Sequence, residues 1–286
     1  MIYAIIGPTG SGKSKLAIEL AKIYNGVIIN GDAFQIYKEM DIGTAKPTKE
    51  ELTIVPHYLY SVFSPDHELS IYEYQQLLRK ELKLHDTKNI FLVGGSGLYL
   101  KSALFDFNLS ENSSYDMTKF DSYSNSELYN LLVSIDEESA KKTHENNRKR
   151  VLRALEIYYS TGKKKSDIEK GQKHIPLYDV TFIGLNLSRE ELYQRIDKRV
   201  DQMIDEGLFD EVKNLLKKYP KDLKSFQAIG YKEIIQGIDE NKTKDEIIQE
   251  IKKASRNYAK RQITYFKNQM NVHWINNIED AITLIK

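Results

Sequence analysis

Residues 7–14 have the residue types and the spacing of a phosphate-binding loop, G-x-x-x-x-G-K-S. They are Gly7, Pro8, Thr9, Gly10, Ser11, Gly12, Lys13 and Ser14. In such a loop backbone N–H groups converge on phosphate oxygens, the lysine adds a positive charge, and the serine hydroxyl can bind Mg²⁺. A β-favouring run at residues 2–6 precedes the loop, and apolar spacing predicts a helix over 14–24. This context favours a polyphosphate site with Mg²⁺ at Ser14 over a glycine-rich turn without a ligand.

A carboxylate that could serve this site follows a different strand. Enzymes that transfer or hydrolyse phosphoryl groups of ATP usually hold the metal with an acid that ends a second buried strand. The strand predicted at residues 89–93 ends instead in Gly-Gly-Ser-Gly, whereas Asp32 follows the strand predicted at residues 27–30. Because the carboxyl ends of parallel strands meet at one crevice, we expect Asp32 to face the loop. It is interpreted as a general base for an incoming acceptor, with a turn-capping role as the alternative.

The composition is that of a globular protein. The chain has 286 residues, of which 41% are hydrophobic, enough for one large domain or for a core with an insertion. It contains no cysteine, which excludes disulfides and cysteine-ligated zinc. No apolar run approaches the roughly 18 residues of a membrane-spanning helix, and the early first strand leaves no room for a targeting peptide. We therefore expect a cytoplasmic protein with no membrane partner.

Positive charge is concentrated locally in a chain whose formal net charge is only +1. A helix predicted over about residues 147–161, and closed by Gly162, carries Arg150 and Arg153 together on one face. A second helical pattern, over residues 245–269, separates a basic face from an apolar one. The basic residues are Lys253, Arg256, Lys260 and Lys267, and the apolar ones are Ile247, Ile251, Ala254, Tyr258 and Tyr265. Two such faces favour a phosphate-rich macromolecule as partner, although a solvated lysine face gives the same spacing.

The order of the predicted elements indicates an α/β protein. Strands and helices alternate over residues 1–106, with a long loop between residues 31 and 70. The sheet resumes at residues 180–187, and the last predicted strand covers 272–275. This alternation is typical of a parallel sheet covered by helices.

The middle of the chain has a different pattern. Residues 107–174 contain no convincing strand, and a polar stretch at residues 108–125 is followed by helical patterns. We therefore predict a P-loop α/β core formed by residues 1–106 and 175–286, with a mainly helical insertion between them.

Several further segments, in order along nearly the whole chain, resemble the bacterial type of tRNA dimethylallyltransferase. They are residues 31–37 (GDAFQIY), 41–47 (DIGTAKP), 94–99 (GGSGLY), His144 with 146–156, 227–232 (QAIGYK) and 258–264 (YAKRQIT). The segment at residues 41–47 is far more specific for this family than the phosphate loop is. The resemblance implies a P-loop NTPase-like fold and prenyl transfer instead of phosphoryl transfer.

In this family a dimethylallyl group moves from dimethylallyl diphosphate to N6 of adenine 37, beside the anticodon of tRNA. The resemblance implies that Lys13, with Mg²⁺ at Ser14, stabilises the departing diphosphate. It implies that Asp32 removes a proton from the adenine amine. The hydroxyl of Ser96, where the family commonly has threonine, would donate a hydrogen bond toward the bridging oxygen. The partners expected are therefore dimethylallyl diphosphate and a tRNA anticodon stem-loop, bound by a monomer.

The resemblance also implies a set of tRNA contacts around a target base that has left its stack. These residues are Asp32, Ala33, Phe34, Gln35, Lys149, Arg150, Val151, Leu152, Arg153, Gln227, Gly230, Tyr231, Lys260, Arg261 and Gln262. Arg195 and Arg199, four apart on a predicted helix, could reach the diphosphate or pair with neighbouring acids, and both alternatives stay open. Ala33 stands where the family usually has serine, Tyr265 stands where tryptophan is common, and the segment after Phe107 is short.

Three other functions share parts of the pattern. A prenyltransferase for free adenine nucleotides has the loop and the aspartate, but it needs no RNA-binding insertion and no basic C-terminal helix. A P-loop kinase for a nucleoside or small metabolite would bind ATP in the same loop. A non-catalytic tRNA-binding protein would keep the loop as a relic. The length of the resemblance favours the tRNA dimethylallyltransferase.

Overall fold

The computed structural model describes residues 1–107, 109 and 115–285, and in this part of the chain it contains six strands and thirteen α-helices. The strands are β1 (Ile2–Ile6), β2 (Val27–Asn30), β3 (His57–Tyr58), β4 (Ile90–Gly94), β5 (Val180–Leu185) and β6 (Val272–Ile275). The helices are α1 (Lys13–Ile23), α2 (Lys49–Ile54), α3 (Ile71–Leu84), α4 (Gly97–Leu104), α5 (Asn125–Ile135), α6 (Glu137–Lys141), α7 (Arg148–Thr161), α8 (Lys165–Gly171), α9 (Arg189–Asp205), α10 (Leu208–Leu216), α11 (Tyr231–Asp239), α12 (Lys244–Gln269) and α13 (Ile278–Leu284). The polar stretch predicted from residue 108 lies partly outside the described residues.

The six strands form one parallel sheet in the order β3-β2-β4-β1-β5-β6. All residues of β1, β2 and β4 are buried, as expected for strands covered on both faces. The predicted α/β fold with a parallel sheet is confirmed. The phosphate loop follows the inner strand β1, while Asp32 follows β2 and Ser96 follows β4 at the same edge of the sheet. Because β4 lies between β1 and β2, Ser96 follows a strand that is adjacent both to β1, which precedes the phosphate loop, and to β2, which precedes Asp32.

The stretch between residues 31 and 70 is more structured than the predicted loop. Helix α2 begins after Thr48, whose side chain accepts a hydrogen bond from the Glu51 N–H while the Glu51 carboxylate returns to the Thr48 N–H. Strand β3 is only two residues long, and it pairs with β2 at the edge of the sheet. The prediction of a continuous loop was wrong because so short a strand carries no alternating pattern.

Two glycines allow β2 and β4 to end in close contact. A Cβ added to Gly94 would lie 2.0 Å from the Gly31 carbonyl oxygen, so no other residue fits there without a shift of the backbone. The Gly31 N–H donates to the Val93 carbonyl at 2.7 Å. Immediately beyond this contact, the Ala33 N–H donates to Ser96 Oγ at 3.0 Å. The glycines therefore bring the residues that follow the two strands side by side.

The described chain divides into two compact units. The first contains Met1–Leu104 and the chain from Pro176 onwards, and the second is Phe105–Ile175. The second unit is helical, with a core that includes Phe120, Leu128, Leu132, Val151 and Leu155. Within the described residues no helix is both long enough and apolar enough to cross a bilayer.

Candidate active site

The phosphate loop has the backbone that its glycines predict. Gly10 and Gly12 have φ angles of +78° and +91°, which side-chain-bearing residues rarely adopt. Lys13 Nζ donates to the Pro8 carbonyl at 3.2 Å, across the loop. Ser11 is buried, and its hydroxyl has no hydrogen-bond partner among the described residues. Positive φ, a lysine and an unsatisfied hydroxyl are together suited to an anionic oxygen ligand.

Burial weakens the protonation of the cations around the loop. The pKa of Lys13 is lowered to about 8, mainly by burial and also by the Arg199 guanidinium, while the Asp32 carboxylate opposes both. Burial also lowers the pKa of Arg199, again against the effect of Asp32. An arriving polyanion would relieve this repulsion.

The two arginines of α9 have different surroundings. Arg195 forms an ion pair with Glu191 at 2.8 Å, in which both side chains are nearly half exposed. Arg199 donates to the Ala45 carbonyl at 3.3 Å and acts electrostatically on Lys13. Arg199 therefore belongs to the cationic group around the loop. Arg195 pairs with a neighbouring acid, but its Nη1 also lies 3.8 Å from a Cβ built on Gly12, so both alternatives stay open for Arg195.

Asp32 is held in a tight turn beyond β2. Its Oδ1 accepts a hydrogen bond from the Phe34 N–H at 2.9 Å. The Asn30 side chain brackets the same residue, since it accepts from the Asp32 N–H at 2.8 Å and donates to the Asp32 carbonyl at 2.9 Å. One carboxylate oxygen of Asp32 therefore caps the turn, as the turn-capping interpretation predicts. The same carboxylate acts electrostatically on Lys13 and Arg199, so Asp32 is near the loop as expected, and its role as a general base stays a prediction.

A group of tyrosines surrounds Asp32, and the sequence analysis did not single it out. Its members are Tyr60, Tyr74, Tyr99 and Tyr258. Burial raises the pKa of each hydroxyl, and the negative charge of Asp32 raises it further. These hydroxyls therefore remain neutral at physiological pH. The only sequence signal for them is the count of 19 tyrosines in the chain.

A cavity of about 380 Å³ opens beside Asp32 and Ser96. Its walls include Ala33, Phe34, Ser96, Tyr99, Tyr258 and Tyr265, and we call it the acceptor chamber. Hydrogen bonding between Tyr258 and Ser96 fixes two of these groups. The chamber is lined mainly by aromatic carbon with a few hydroxyls, which suits a planar apolar ligand with polar edges.

Gln262 connects the phosphate loop to the chamber. Its Oε1 accepts from the Thr9 N–H at 3.2 Å, and its Nε2 donates to the Gly95 carbonyl at 2.9 Å. The side chain is only 5% exposed. Its amide therefore positions the two loops, and because Gln262 also lines the chamber, its contact with tRNA stays a prediction.

Glu211 fastens the segment at residues 41–46. Its carboxylate accepts hydrogen bonds from three successive backbone N–H groups, at 3.0, 2.9 and 3.2 Å, and from the Tyr231 hydroxyl at 2.5 Å. Carbonyls of the same segment accept from Gln35 and Arg199. This clamp could not be predicted from residue spacing, because Glu211 is about 170 residues from the segment that it binds.

Two expected tRNA contacts belong to this clamp instead. Tyr231 is fully buried, with its hydroxyl on Glu211. Gly230 is buried and has a φ angle of +97° at the start of α11. Gln35 donates its amide to two carbonyls of residues 44 and 45. The side chain of Tyr231 is therefore unavailable to RNA, while Gln227 remains exposed.

The basic helical faces are partly as expected. On α7, Lys149 and Arg150 are exposed, and Arg153 pairs with Glu156 at 2.8 Å on the surface. The expected contact of Val151 is wrong for its side chain, which is 0% exposed and packs in the helical core. Leu152 packs partly against the same core.

On α12 the predicted basic line is interrupted. Arg256 forms an ion pair with Asp197 at 2.5 Å, whereas Lys260 and Arg261 are exposed. The buried face of the helix also differs from the prediction, since Ser255 and Gln262 lie on it while Tyr258 and Tyr265 line the chamber.

Magnesium fits this site through oxygen ligands. The Ser14 hydroxyl is partly exposed and forms no hydrogen bond with the described residues. Within those residues no group of three or more His, Cys, Asp or Glu side chains is arranged to hold a metal. Mg²⁺ commonly binds through one protein oxygen, phosphate oxygens and water, a set that Ser14 and a bound diphosphate can provide.

Known proteins resemble this chain over nearly its whole length. A family model described as IPP transferase matches residues 35–269. A tRNA dimethylallyltransferase from Bacillus pumilus is 46% identical over 281 residues, which cover 96% of this chain and 88% of the relative. A second, from Anoxybacillus flavithermus, is also 46% identical and covers 98% of this chain and 92% of the relative.

Solved structures give the same result. A tRNA delta(2)-isopentenylpyrophosphate transferase from Staphylococcus epidermidis superposes with a TM-score of 0.73 at 43% identity, covering 99% of this chain and 97% of that one. A eukaryotic dimethylallyltransferase acting on tRNA has a TM-score of 0.82 at 30% identity, covering 97% and 74%. With the phosphate loop, Asp32 and the chamber in one site, these similarities show that the chain belongs to the IPP transferase family.

Proposed function

We propose that this protein transfers a dimethylallyl group from dimethylallyl diphosphate to N6 of adenine 37 in tRNA, giving N6-(dimethylallyl)adenosine and diphosphate. The observation that carries the proposal is that Asp32, which acts electrostatically on Lys13 of the phosphate loop, directly precedes Ala33 and Phe34 in the wall of an aromatic chamber. An anion site and a carboxylate base at one chamber are what a transfer with an anionic leaving group and a protic nucleophile requires.

The phosphate loop would stabilise the leaving group. As the C1–O bond of the donor breaks, negative charge accumulates on the diphosphate. Backbone N–H groups of residues 10–14, the Lys13 ammonium and the Arg199 guanidinium are the groups placed to meet that charge. Bound at Ser14, Mg²⁺ would supply further charge neutralisation to the same oxygens.

Asp32 would act on the acceptor. A new C–N bond forms as the adenine amine attacks C1, and the amine proton passes to the Asp32 carboxylate. Proton removal of this kind contributes roughly 10²–10⁴-fold to a rate. Asp32 Oδ1 already accepts from the Phe34 N–H, which leaves the other carboxylate oxygen for the proton. The Ser96 hydroxyl accepts from the Ala33 N–H and is hydrogen-bonded to Tyr258; its O–H would have to turn away from Tyr258 to donate toward the donor's bridging oxygen.

We infer that the RNA partner is the anticodon stem-loop, bound by a monomer in the cytoplasm. The exposed cations Lys149 and Arg150 of the helical unit, and Lys260 and Arg261 of α12, support a phosphate-rich partner. The chamber is suited to one extruded base and not to a duplex. A tRNA substrate also agrees with the names of the relatives.

The test combines purified protein, Mg²⁺, dimethylallyl diphosphate and an unmodified tRNA that has adenine at position 37. After digestion, mass spectrometry of the nucleosides should show one C5H8 unit added to that adenosine. Parallel reactions replace the tRNA with AMP, and the prenyl donor with ATP. Transfer to AMP but not to tRNA would assign the protein to free nucleotides, and phosphorylation from ATP would contradict prenyl transfer altogether.

A further inference from the structure

A second cavity of about 310 Å³ lies beside the phosphate loop and shares no lining residue with the acceptor chamber. Pro8 of the loop forms part of its wall. The other groups that matter here are Leu187, Arg189, Tyr193, Lys260, Lys267 and Trp274, and we call this cavity the lateral cleft. It is built where β5 and β6 end and α9 and α12 pass.

The lateral cleft combines aromatic rings with cations. Lys267 Nζ lies 5.8 Å from the centroid of the Trp274 ring, and the Arg189 guanidinium lies 5.2 Å from that of Tyr193. Trp274 and Tyr193 are both partly exposed, so each ring keeps accessible surface. A planar ligand can therefore stack in the cleft while its charged part contacts the rim.

Among the described residues the cations of the cleft lack acidic partners, in contrast to two other cations of α12. Within α12, Lys252 pairs with Asp201 at 2.6 Å and Arg256 pairs with Asp197 at 2.5 Å. Lys260 and Lys267, further along the same helix, form no ion pair with the described residues, and neither does Arg189. The end of α12 nearest the cleft thus keeps uncompensated positive charge for an anionic ligand.

A shallow groove connects the cleft with the acceptor chamber. It runs over the exposed surface of α12 and is lined by Asn257, Lys260, Arg261, Thr264, Tyr265 and Asn268. Lys260 also lines the cleft, whereas Arg261 and Tyr265 also line the chamber. The three depressions form one basic path along the helix, so a chain of linked phosphates can occupy all of them.

We propose that the lateral cleft binds an unpaired nucleotide of the RNA substrate, near the one whose base enters the chamber. The base stacks on Trp274 and Tyr193, and its phosphate contacts Arg189 and Lys267. This inference rests on the proposed function, because it assigns a second subsite for the same RNA. A single-stranded segment supplies both components, a flat ring and a linked phosphate.

Tryptophan fluorescence tests the occupant directly, because Trp274 is the one tryptophan of the chain. An unmodified anticodon stem-loop RNA should quench its emission, and dimethylallyl diphosphate alone should leave the emission unchanged. Quenching by dimethylallyl diphosphate alone would overturn the proposal, since the cleft would then hold the small donor. Saturation is measured independently by the fluorescence anisotropy of labelled RNA. If the tryptophan emission is unchanged at a saturating RNA concentration, the proposal is overturned too.

The second arm removes the charge. In an Arg189→Gln/Lys267→Gln variant the KM for the RNA should rise about tenfold and the slope of log Kd against log salt should fall by about two. The KM for dimethylallyl diphosphate should be unchanged. The matched control is Lys22→Gln/Lys83→Gln, which removes the same charge from exposed last-turn positions of α1 and α3. Equal KM values and salt slopes in the two double variants would overturn the proposal.

The stacking contribution has its own pair of variants. Trp274→Phe should retain most of the RNA affinity, while Trp274→Leu, similarly apolar but not planar, should weaken it about fivefold. Equal affinities would overturn the assignment of a stacked base. Absence of prenyl transfer by the wild-type protein is a separate result: it would contradict the proposed function, while RNA quenching of Trp274 would still report on the cleft.

Discussion

The phosphate loop and the acceptor chamber lie in one site but have opposite electrostatic character. Around the loop, burial lowers the pKa of both Lys13 and Arg199, and the Arg199 guanidinium lowers that of Lys13 further. Around the chamber, Asp32 lies among tyrosines whose hydroxyls stay neutral. This difference shows how one site can stabilise two opposite changes of charge during a single reaction. Anionic charge that develops on the leaving group is met by cations, while a proton released by the nucleophile is met by a carboxylate.

The largest loss of activity is expected when a cation of the phosphate loop is removed. Lys13→Ala removes the charge nearest the departing diphosphate, and it should lower kcat by about 10³-fold or more. Steady-state prenyl transfer to tRNA measures the loss. Lys15→Ala is the matched control, since Lys15 lies two residues further along α1 and is exposed. Comparable losses in both variants would mean that helix α1 as a whole, and not the Lys13 ammonium, carries the effect.

Removing the Asp32 carboxylate beside the chamber should lower the rate of transfer somewhat less. Asp32→Asn keeps an oxygen that can accept from the Phe34 N–H, so the turn should survive while the proton acceptor is lost. We expect kcat to fall by about 10²–10³-fold, in the lower part of the range for general-base catalysis, with little change in the KM for dimethylallyl diphosphate. Single-turnover transfer with saturating tRNA is the measurement. An unchanged single-turnover rate would show that another group accepts the proton.

The two halves also differ in how far the sequence predicts them. The loop consists of eight consecutive residues whose order defines its backbone. The motif therefore predicts both the position of the loop and the role of Lys13 in it. Asp32 was predictable because it follows a β-favouring run, and parallel strands deliver their ends to one crevice.

The chamber was not predictable in this way. Its walls come from segments far apart in the chain, such as Phe34, Tyr99 and Tyr258. Helical spacing alone assigned Tyr258 to the buried face of α12, because periodicity cannot distinguish a core from a cavity wall. Similarly, the positioning role of Gln262 was not predictable, because the two backbone groups that bind its amide lie 167 and 253 residues away.

A titration sharpens the comparison, since the two halves ionise in different pH ranges. As pH rises through about 8, Lys13 loses its proton, and affinity for inorganic diphosphate should fall by up to about tenfold per pH unit. The tyrosines near Asp32 should contribute nothing there, because their pKa values are raised. Isothermal titration calorimetry measures the affinity. Lys13→Arg is the control, because its guanidinium stays charged and isolates the ionisation of the ligand.

The lowered pKa of Lys13 also predicts how the free energy of unfolding changes with pH. An unfolded chain holds the lysine proton up to the ordinary pKa of 10.5, whereas the folded protein releases it at about 8. Between these values the unfolded state binds more protons, so this group makes the free energy of unfolding increase with pH. A wild-type protein whose diphosphate affinity and stability follow those of Lys13→Arg across this range would contradict the assigned pKa of Lys13.

The smallest expected effect concerns the clamp that supports both halves from outside the site. Glu211→Gln replaces one acceptor oxygen by an NH₂ group facing backbone N–H donors, so the segment at residues 41–46 should loosen. We expect the free energy of unfolding to fall by about 1–3 kcal/mol, measured by urea denaturation. Because Arg199 donates to Ala45 in this segment, the KM for dimethylallyl diphosphate should rise a fewfold while Asp32 chemistry persists.

Tyr231→Phe provides the graded control for the clamp, because it deletes one hydroxyl donor and leaves the three backbone bonds to Glu211 intact. Its loss of stability should be smaller, about 1 kcal/mol, and its KM should stay near that of the wild type. If instead Tyr231→Phe impairs transfer more than Glu211→Gln does, the hydroxyl acts beyond the clamp. In that case the expected RNA contact of Tyr231 would have to be reconsidered despite its burial.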